Sequence, residues 1–525
     1  EVPDETGEAA PAKRPRISSP ADLPGPSQRV SASPFGLLRV ESTAIDPALN
    51  RGALGVRLEE LVVEGVQLAF VCNYYLDVRF LAQECPALLD HQAKVILLHG
   101  FKDPEAHERT KEDVEELGLS STWSVHRAVV QDPYGTHHSK AFILQYPTGL
   151  RLVIMTANLI LNDCHEKTQA VWWQDFPPKS GSGSEPTSPF EDDLLTYLQS
   201  LQGLGPNQEA VVAACRKHDF SNASAHLLMT VPGRHTADRL HRFGHMQLRR
   251  LLSKETFPDT FTRAPVAAQF SSIGNTSSGK ANRERWRGEL TATFSAGQTV
   301  SGQALGPACR LEIVWPTIEE VRKSIEGYQA GASLPGRQEH LSHVRHLLHR
   351  WSGGPAGRDR ASPHIKSYCR YSGDGRIAWA VVTSSNLSKA AWGELQKEGR
   401  QLYCKSYELG VLLLPRLLAA AHGFCCTPHA PPPRLDVPGG KQGLAASLPG
   451  AECGPVEFCG MQVAEEPAAP GEASTTLPPS TCCYLPIPFH LPPHKYRAED
   501  REWAVDGRYL QPDGFGVTWD PLAGR

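Results

Sequence analysis

Two short stretches of this chain repeat one pattern. His138-Ser139-Lys140 is followed eighteen residues after its lysine by Asn158, and His364-Ile365-Lys366 twenty residues after its lysine by Asn386. In both copies the H-x-K triplet opens one apolar run, and a second run ends in Thr156-Ala157-Asn158 or Ser384-Ser385-Asn386. A chain that builds the same strand pair and polar tip twice is most simply a pseudo-twofold molecule with one shared site.

The spacing has a physical meaning. Side chains at i and i+2 of an extended strand share a face, so each His projects with its Lys while Ser139 and Ile365 turn away. Ala141–Tyr146, Leu152–Met155 and Ile377–Val382 are rich in aliphatic residues, as buried strands are. Bringing the halves together would collect two imidazoles, two ammonium groups and two amides. That set is rich in donors and positive charge and suits a phosphate.

With 21 His in the chain, about one H-x-K triplet is expected by chance, so the triplet alone is weak and the matched pair carries the inference. His165-Glu166-Lys167 is a decoy: no apolar run ending in Asn follows it, and it reads as a surface loop or the approach to a strand. His137 is another, since its side chain should face the opposite side from His138.

At 525 residues the chain has room for two or more domains. It begins at Glu1 rather than Met, so a longer natural chain is expected. No apolar run is long enough to span a membrane and no signal peptide is visible, so a soluble intracellular protein is expected. Thirteen Cys without zinc-finger spacing read as reduced, mostly buried thiols. A net charge of −4 argues against a globally basic nucleic-acid protein while leaving room for a local basic groove.

Residues 1–35 are rich in Pro, Ser, Ala and Glu and read as a disordered tail. Within it Lys13-Arg14-Pro15-Arg16 is a basic cluster, either a nuclear import signal or an ordinary charged patch. Residues 36–225 alternate apolar strands with polar turns and helical stretches, the mark of an α/β unit. It includes a Gly/Ser/Pro-rich loop at 177–189 and closes on the amphipathic stretch Glu191–Leu201. Residues 226–525 form the second unit. It has strands near His226–Val231, Leu311–Trp315, His364–Tyr371, Ile377–Val382 and Tyr407–Leu414, and a helix near His245–Leu252. Its Pro/Gly-rich insertion at about 427–480 is expected to be irregular, and the tail from Tyr484 to pack back onto the second unit.

These segments resemble the phospholipase D superfamily. Within it, "GTHHSK", "TANLI", "PHIKSY", "VTSSNLSKAAWG" and "SYELGVL" are similar to the tyrosyl-DNA phosphodiesterases, in order from about Phe35 to the C-terminus. Most of the superfamily carries Asp five residues after the Lys; here Gln145 and Tyr371 stand there, a departure shared with the tyrosyl-DNA branch. The resemblance implies two similar α-β-α sandwich domains related by pseudo-twofold symmetry around one active site. It implies hydrolysis of the phosphodiester between DNA and the tyrosine of a stalled topoisomerase I peptide, through a covalent phosphohistidine.

By position in the family motif His138 is the nucleophile and His364 the general acid/base; spacing alone does not distinguish them. Lys140, Lys366, Asn158 and Asn386 are expected to hold the non-bridging oxygens. Gln169 and Glu408 match the family's partners for the two imidazoles. Tyr134, Ser271, Ser272, Tyr74, Pro335 and Trp503 fall where the family contacts DNA or peptide. No metal or cofactor is required. The expected partners are DNA with 3′-blocked ends and the topoisomerase-derived peptide, for a monomer of the nucleus, with cytoplasm or mitochondria as alternatives. Two other readings stand beside this one: a nuclease or lipase from another branch, and a non-catalytic nucleic-acid-binding module.

Overall fold

A computed structural model describes residues 35–522 apart from 182–184, 275–279, 306–308, 374, 423–456 and 461–481. The basic cluster at 13–16 lies outside the described residues. So does most of 427–480, of which Glu457–Gly460 is described and forms a strand beside Cys482–Leu485.

The duplication read from two motifs extends to whole sheets. The first contains β1 (Gly36–Leu37), β2 (Leu68–Asn73), β3 (Lys94–His99), β4 (Trp123–Arg127), β5 (Ala141–Tyr146), β6 (Gly149–Met155) and β7 (Ala170–Phe176), in the order β1-β7-β6-β5-β2-β3-β4. The second contains β8 (His226–Thr230), β9 (Val266–Gln269), β10 (Leu311–Val314), β11 (Leu348–His349), β12 (Ser367–Tyr371), β13 (Arg376–Thr383) and β14 (Glu408–Leu413). Its order is β8-β14-β13-β12-β9-β10-β11, with Glu457–Gly460 added beside β13. Strand directions match position by position. In each sheet two parallel pairs, β2/β3/β4 or β9/β10/β11, join an antiparallel block.

Strand chemistry explains why both sheets are buried on two faces. In β6, Leu150, Leu152 and Ile154 enter a central core while Val153 and Met155 enter an outer one, the period of two that a pleated strand imposes. The central core also takes Ile365, Ala380, Val382, Leu409 and Val411 from the second half, so the sheets share one apolar layer. The helix Pro189–Ser200 joins that layer. Ser188 caps it by accepting from Glu191 N at 3.2 Å, Pro189 opens it, and Phe190, Leu194 and Leu198 face inward.

Two sequence expectations are decided here. Of the two readings of His165-Glu166-Lys167, the approach to a strand holds, since the segment runs into β7 at Ala170, and the surface loop does not. His165 ends the helix Leu161–His165, and Lys167 is buried with its Nζ 2.6 Å from Glu326 Oε1, because paired charge can be buried where lone charge cannot. Trp503 is fully buried, its ring against Tyr328, Tyr509 and Trp519 and its Nε1 donating to Leu334 O at 3.1 Å. An indole enclosed in this way is core and does not face a substrate. Cys72, Cys85, Cys164, Cys215, Cys309, Cys369 and Cys404 are free and buried. Among the described residues no helix is long and apolar enough to cross a membrane.

Candidate active site

Each H-x-K triplet is extended backbone leading into the strand that its apolar run forms, β5 or β12. The two triplets meet across the halves through a reciprocal exchange of backbone bonds. His138 N donates to Tyr407 O and Tyr407 N to Thr136 O, both at 2.9 Å. In the mirrored place His364 N and Ile365 N donate to Thr168 O at 3.1 and 2.8 Å, and Thr168 N donates to Ser362 O at 2.9 Å. The residues after Tyr407 and Thr168 are Glu408 and Gln169, so each imidazole receives its partner from the opposite half. His138 Nδ1 lies 3.0 Å from Glu408 Oε2, and His364 Nδ1 lies 2.9 Å from Gln169 Nε2.

The partners are themselves fixed. Ser384 Oγ donates to Glu408 Oε2 and accepts from Leu409 N at 3.0 Å. Thr156 Oγ1 accepts from Ala170 N at 2.9 Å and donates to Gln169 Oε1 at 2.7 Å. That last bond orients the amide so that its NH2 group meets His364. His138 therefore has an acceptor on Nδ1 and carries its proton there, leaving the Nε2 lone pair unengaged. Neutral His364 has a donor on Nδ1 and carries its proton on Nε2. Sequence reasoning missed both hydroxyls, although the signal was present: Thr156 and Ser384 each stand two residues before the Asn that ends the motif.

Electrostatics follow from burial. Desolvation, helped by the Lys140 and Lys366 charges, lowers the His138 pKa against the opposing pull of Glu408. His364 is driven well below its ordinary value by burial and by Lys366, Lys140, Lys167 and His138. Burial brings Lys140 down to about 8 and holds Lys366 well below the usual lysine range. Burial would raise Glu408, but the His138 charge, the hydrogen bonds from His138 and Ser384, and Lys140 hold its carboxyl below the usual range. Both imidazoles are thus biased toward their neutral forms in the free protein, and Lys140 and Lys366 lie near enough to feel each other's charge. Lys140 Nζ donates to His138 O at 2.8 Å, and Lys366 Nζ makes the equivalent bond to His364 O.

A model of the tyrosyl-DNA phosphodiesterase family matches residues 37–497. The chain belongs to this family. It is similar to tyrosyl-DNA phosphodiesterase 1 of Arabidopsis thaliana, 37% identical over 472 residues that cover 87% of this chain and 72% of the relative. A probable tyrosyl-DNA phosphodiesterase of Caenorhabditis elegans is 34% identical over 359 residues, covering 65% of this chain and 74% of the other. The fold matches a crystal structure of the yeast tyrosyl-DNA phosphodiesterase with a TM-score of 0.57 and 16% identity, over 90% of this chain and 98% of that one. The chain is accordingly a hydrolase of the tyrosyl-DNA phosphodiesterase family with its phospholipase D-like fold.

The remaining sequence-predicted residues of this tyrosyl-DNA phosphodiesterase fall into two groups. Asn386 is anchored by Ser271 N and Ser272 N, which donate to its Oδ1 at 3.1 and 3.0 Å. Ser271 and Ser272, expected among the DNA or peptide contacts, thus spend their backbone N–H groups on aiming the Asn386 amide, and Ser271 is also buried. Ser272 is half-buried. Asn158 is held from below, its backbone N and its Nδ2 donating to Asp163 Oδ2 at 3.1 and 2.7 Å. One Nδ2 hydrogen of Asn158 is thereby engaged, and its Oδ1 is buried with no hydrogen-bond partner among the described residues.

Tyr74 is half-buried with its ring 5.3 Å from that of His138 and 5.6 Å from Lys140 Nζ. Tyr134, four residues before the first imidazole, is 78% exposed with Lys405 Nζ 5.0 Å from its ring centroid. Lys405 also approaches Tyr403, over which Arg234 sits at 4.2 Å. Pro335 is exposed. Among the described residues no group of three or more His, Cys, Asp and Glu is arranged to hold a metal ion.

Proposed function

We propose that this chain hydrolyses the bond between a DNA 3′-phosphate and a tyrosine hydroxyl, as on a topoisomerase I-derived peptide, through a phosphohistidine at His138. The observation that supports it most is the unlike pairing of two imidazoles, one with a carboxylate on Nδ1 and one with an amide donor. In the first step His138 Nε2 attacks phosphorus and the P–O bond to the phenol breaks. His364, protonated in the substrate complex, gives its proton to the departing phenolate oxygen. In the second step His364 takes a proton from water, the water oxygen attacks phosphorus, and the Nε2–P bond breaks to leave DNA with a 3′-phosphate. Such proton transfer supplies on the order of 10²–10⁴ in rate.

Lys140 and Lys366 would meet the charge on the non-bridging oxygens, with the amides of Asn386 and Asn158 beside them. A phosphodiester anion arriving between the ammonium groups favours their charged forms and that of His364. This gives the ammonium groups the electrostatic role a divalent ion plays elsewhere. Tyr134, exposed beside Lys405, Tyr403 and Arg234, suits stacking against a base at the single-stranded 3′ end, worth roughly 1–3 kcal/mol. In this reading the protein works as a monomer in DNA repair in the nucleus.

The test compares a 3′-phosphotyrosyl oligonucleotide, the same oligonucleotide unblocked, and phosphatidylcholine vesicles, each with and without EDTA. Cleavage confined to or strongly favouring the tyrosyl substrate, unchanged by EDTA, is expected. Preferred phosphatidyl cleavage, no cleavage at all, or loss with EDTA that a divalent ion restores would each refute the proposal.

A further inference from the structure

Beneath the site lies a carboxylate that the two-histidine scheme leaves without a role. Asp163 sits on the short helix Leu161–His165 and is 2% exposed. Besides holding Asn158 N and Nδ2, its Oδ2 lies 3.2 Å from His364 Nδ1. That same Nδ1 is 2.9 Å from Gln169 Nε2. One ring nitrogen thus faces a donor and an acceptor at once, and the proton state of the ring decides which of them it can use. A neutral ring with its proton on Nε2 accepts from Gln169. A cationic ring, protonated on both nitrogens, has no lone pair for Gln169 and needs an acceptor.

We propose that Asp163 is a positioning residue that takes the Nδ1 proton of cationic His364 in hydrogen bond, while Gln169 serves the neutral ring. This deepens the acid/base reading of His364 and rests on it. The two partners let the ring change charge twice per turnover with little change in its direction, because a partner for either state is already within 3.2 Å. The other charged and titratable groups facing the ring are Lys366 on its own segment, His138 and Lys140 before β5, and Lys167 after the helix. All of them oppose its positive form, and among the described residues Asp163 is the one carboxylate in contact with the ring. Lys167 Nζ lies 3.6 Å from Asp163 Oδ1 and is itself held by Glu326, which ties the carboxylate in place. Among the described residues the other half has no equivalent: there Glu408 meets His138 Nδ1, and Asn386 is held by Ser271 and Ser272. The asymmetry matches the division of labour: only one of the two rings has to be cationic to act.

Asp163→Asn keeps the shape and an acceptor for Asn158 but removes the charge. Single-turnover cleavage of a 3′-phosphotyrosyl oligonucleotide should lose its alkaline limb at least one pH unit earlier than wild type. That makes the variant at least tenfold slower at pH 8, with rates converging at low pH and KM little changed. Gln169→Glu in the Asp163→Asn background, which returns a carboxylate to Nδ1, should move the limb back. A 4-nitrophenyl leaving group, which needs little acid, should be released by Asp163→Asn within a few-fold of the wild-type rate.

A profile superimposable on wild type, or depressed equally at every pH and unrescued by Gln169→Glu, would overturn the role of Asp163 while leaving the acid/base reading intact. That reading itself fails only if His364→Ala cleaves the tyrosyl substrate at the wild-type rate. Should Asp163→Asn not fold, imidazole ¹⁵N spectra of the wild type with a 3′-phosphorylated oligonucleotide decide, the ring assigned by His364→Asn. Nδ1 should become protonated as the ring titrates, and an Nδ1 that stays unprotonated throughout would overturn the proposal.

Discussion

Glu408 and Gln169 occupy matched places in the two halves and differ by one charge, and the two imidazoles inherit that difference. Glu408 is buried and depends on His138 and on Ser384, which donates to the same oxygen that faces the ring. We expect Glu408→Gln to slow single-turnover cleavage by roughly 10²–10⁴, because an amide can present its NH2 to His138 and hold the unreactive tautomer. Ser384→Ala removes one donor from a charged group, an interaction of about 1.5–3 kcal/mol, so a loss of roughly tenfold or more is expected. Wild-type rates in both variants would show that the carboxylate does not set the ring.

The lysines give a separate prediction. With the Lys140 pKa lowered to about 8, the ammonium of the free enzyme is lost as pH rises through that value, and attraction for a phosphodiester is lost with it. kcat/KM for a tyrosyl oligonucleotide should therefore fall more steeply above about pH 8 than the titration of His364 and Lys366 alone would make it, and Lys140→Arg should remove that added steepness because a guanidinium stays charged. A kcat/KM flat to pH 10 in wild type would contradict it.

At the scale of elements, the site depends on how the segments before β5 and β14 lie against each other. A Cβ on Gly135 would come within 1.9 Å of Lys405 O, backbone that cannot step aside cheaply. Gly135→Ala should push the segment carrying Tyr134 and His138 off its neighbour and lower cleavage at least tenfold. The loss should appear in kcat as well as KM, since it moves the nucleophile; an unchanged kcat would mean that this contact does not position His138.

The strands that follow the triplets were readable from the aliphatic runs at 141–146 and 377–382, and the pairing of each His with its Lys from their i, i+2 spacing. The crossed partnership was not readable. Gln169 and His364 are 195 residues apart, Glu408 and His138 270 apart, and only the backbone exchange between halves selects those pairs. The burial of Lys167 and of Trp503 was missed for a related reason. Glu326, 159 residues from Lys167, neutralises the first, and Tyr328, on a separate 3-10 segment far upstream, packs against the second.

For the whole molecule, the shared apolar layer has a thermodynamic consequence. Leu150, Leu152, Ile154 and Trp172 of one half lie in one core with Cys369, Ala380, Val382 and Leu409 of the other. Separating the halves would expose that layer at about 25 cal/mol per Å² of apolar surface. Residues 35–225 expressed alone should be insoluble or bind hydrophobic dyes, and the intact chain should unfold in a single calorimetric transition. Two resolved transitions, or a soluble native-like isolated half, would contradict a common core.

In the proposed reaction the two halves act on one phosphorus atom, with His138 Nε2 as the attacking atom. The most direct measurement is peptide mapping by mass spectrometry of the protein–DNA adduct trapped when His364→Arg meets a 3′-phosphotyrosyl oligonucleotide. The adduct is expected on His138, and none should form in the His138→Ala, His364→Arg double variant. An adduct on any other residue, or undiminished turnover in His138→Ala, would contradict it.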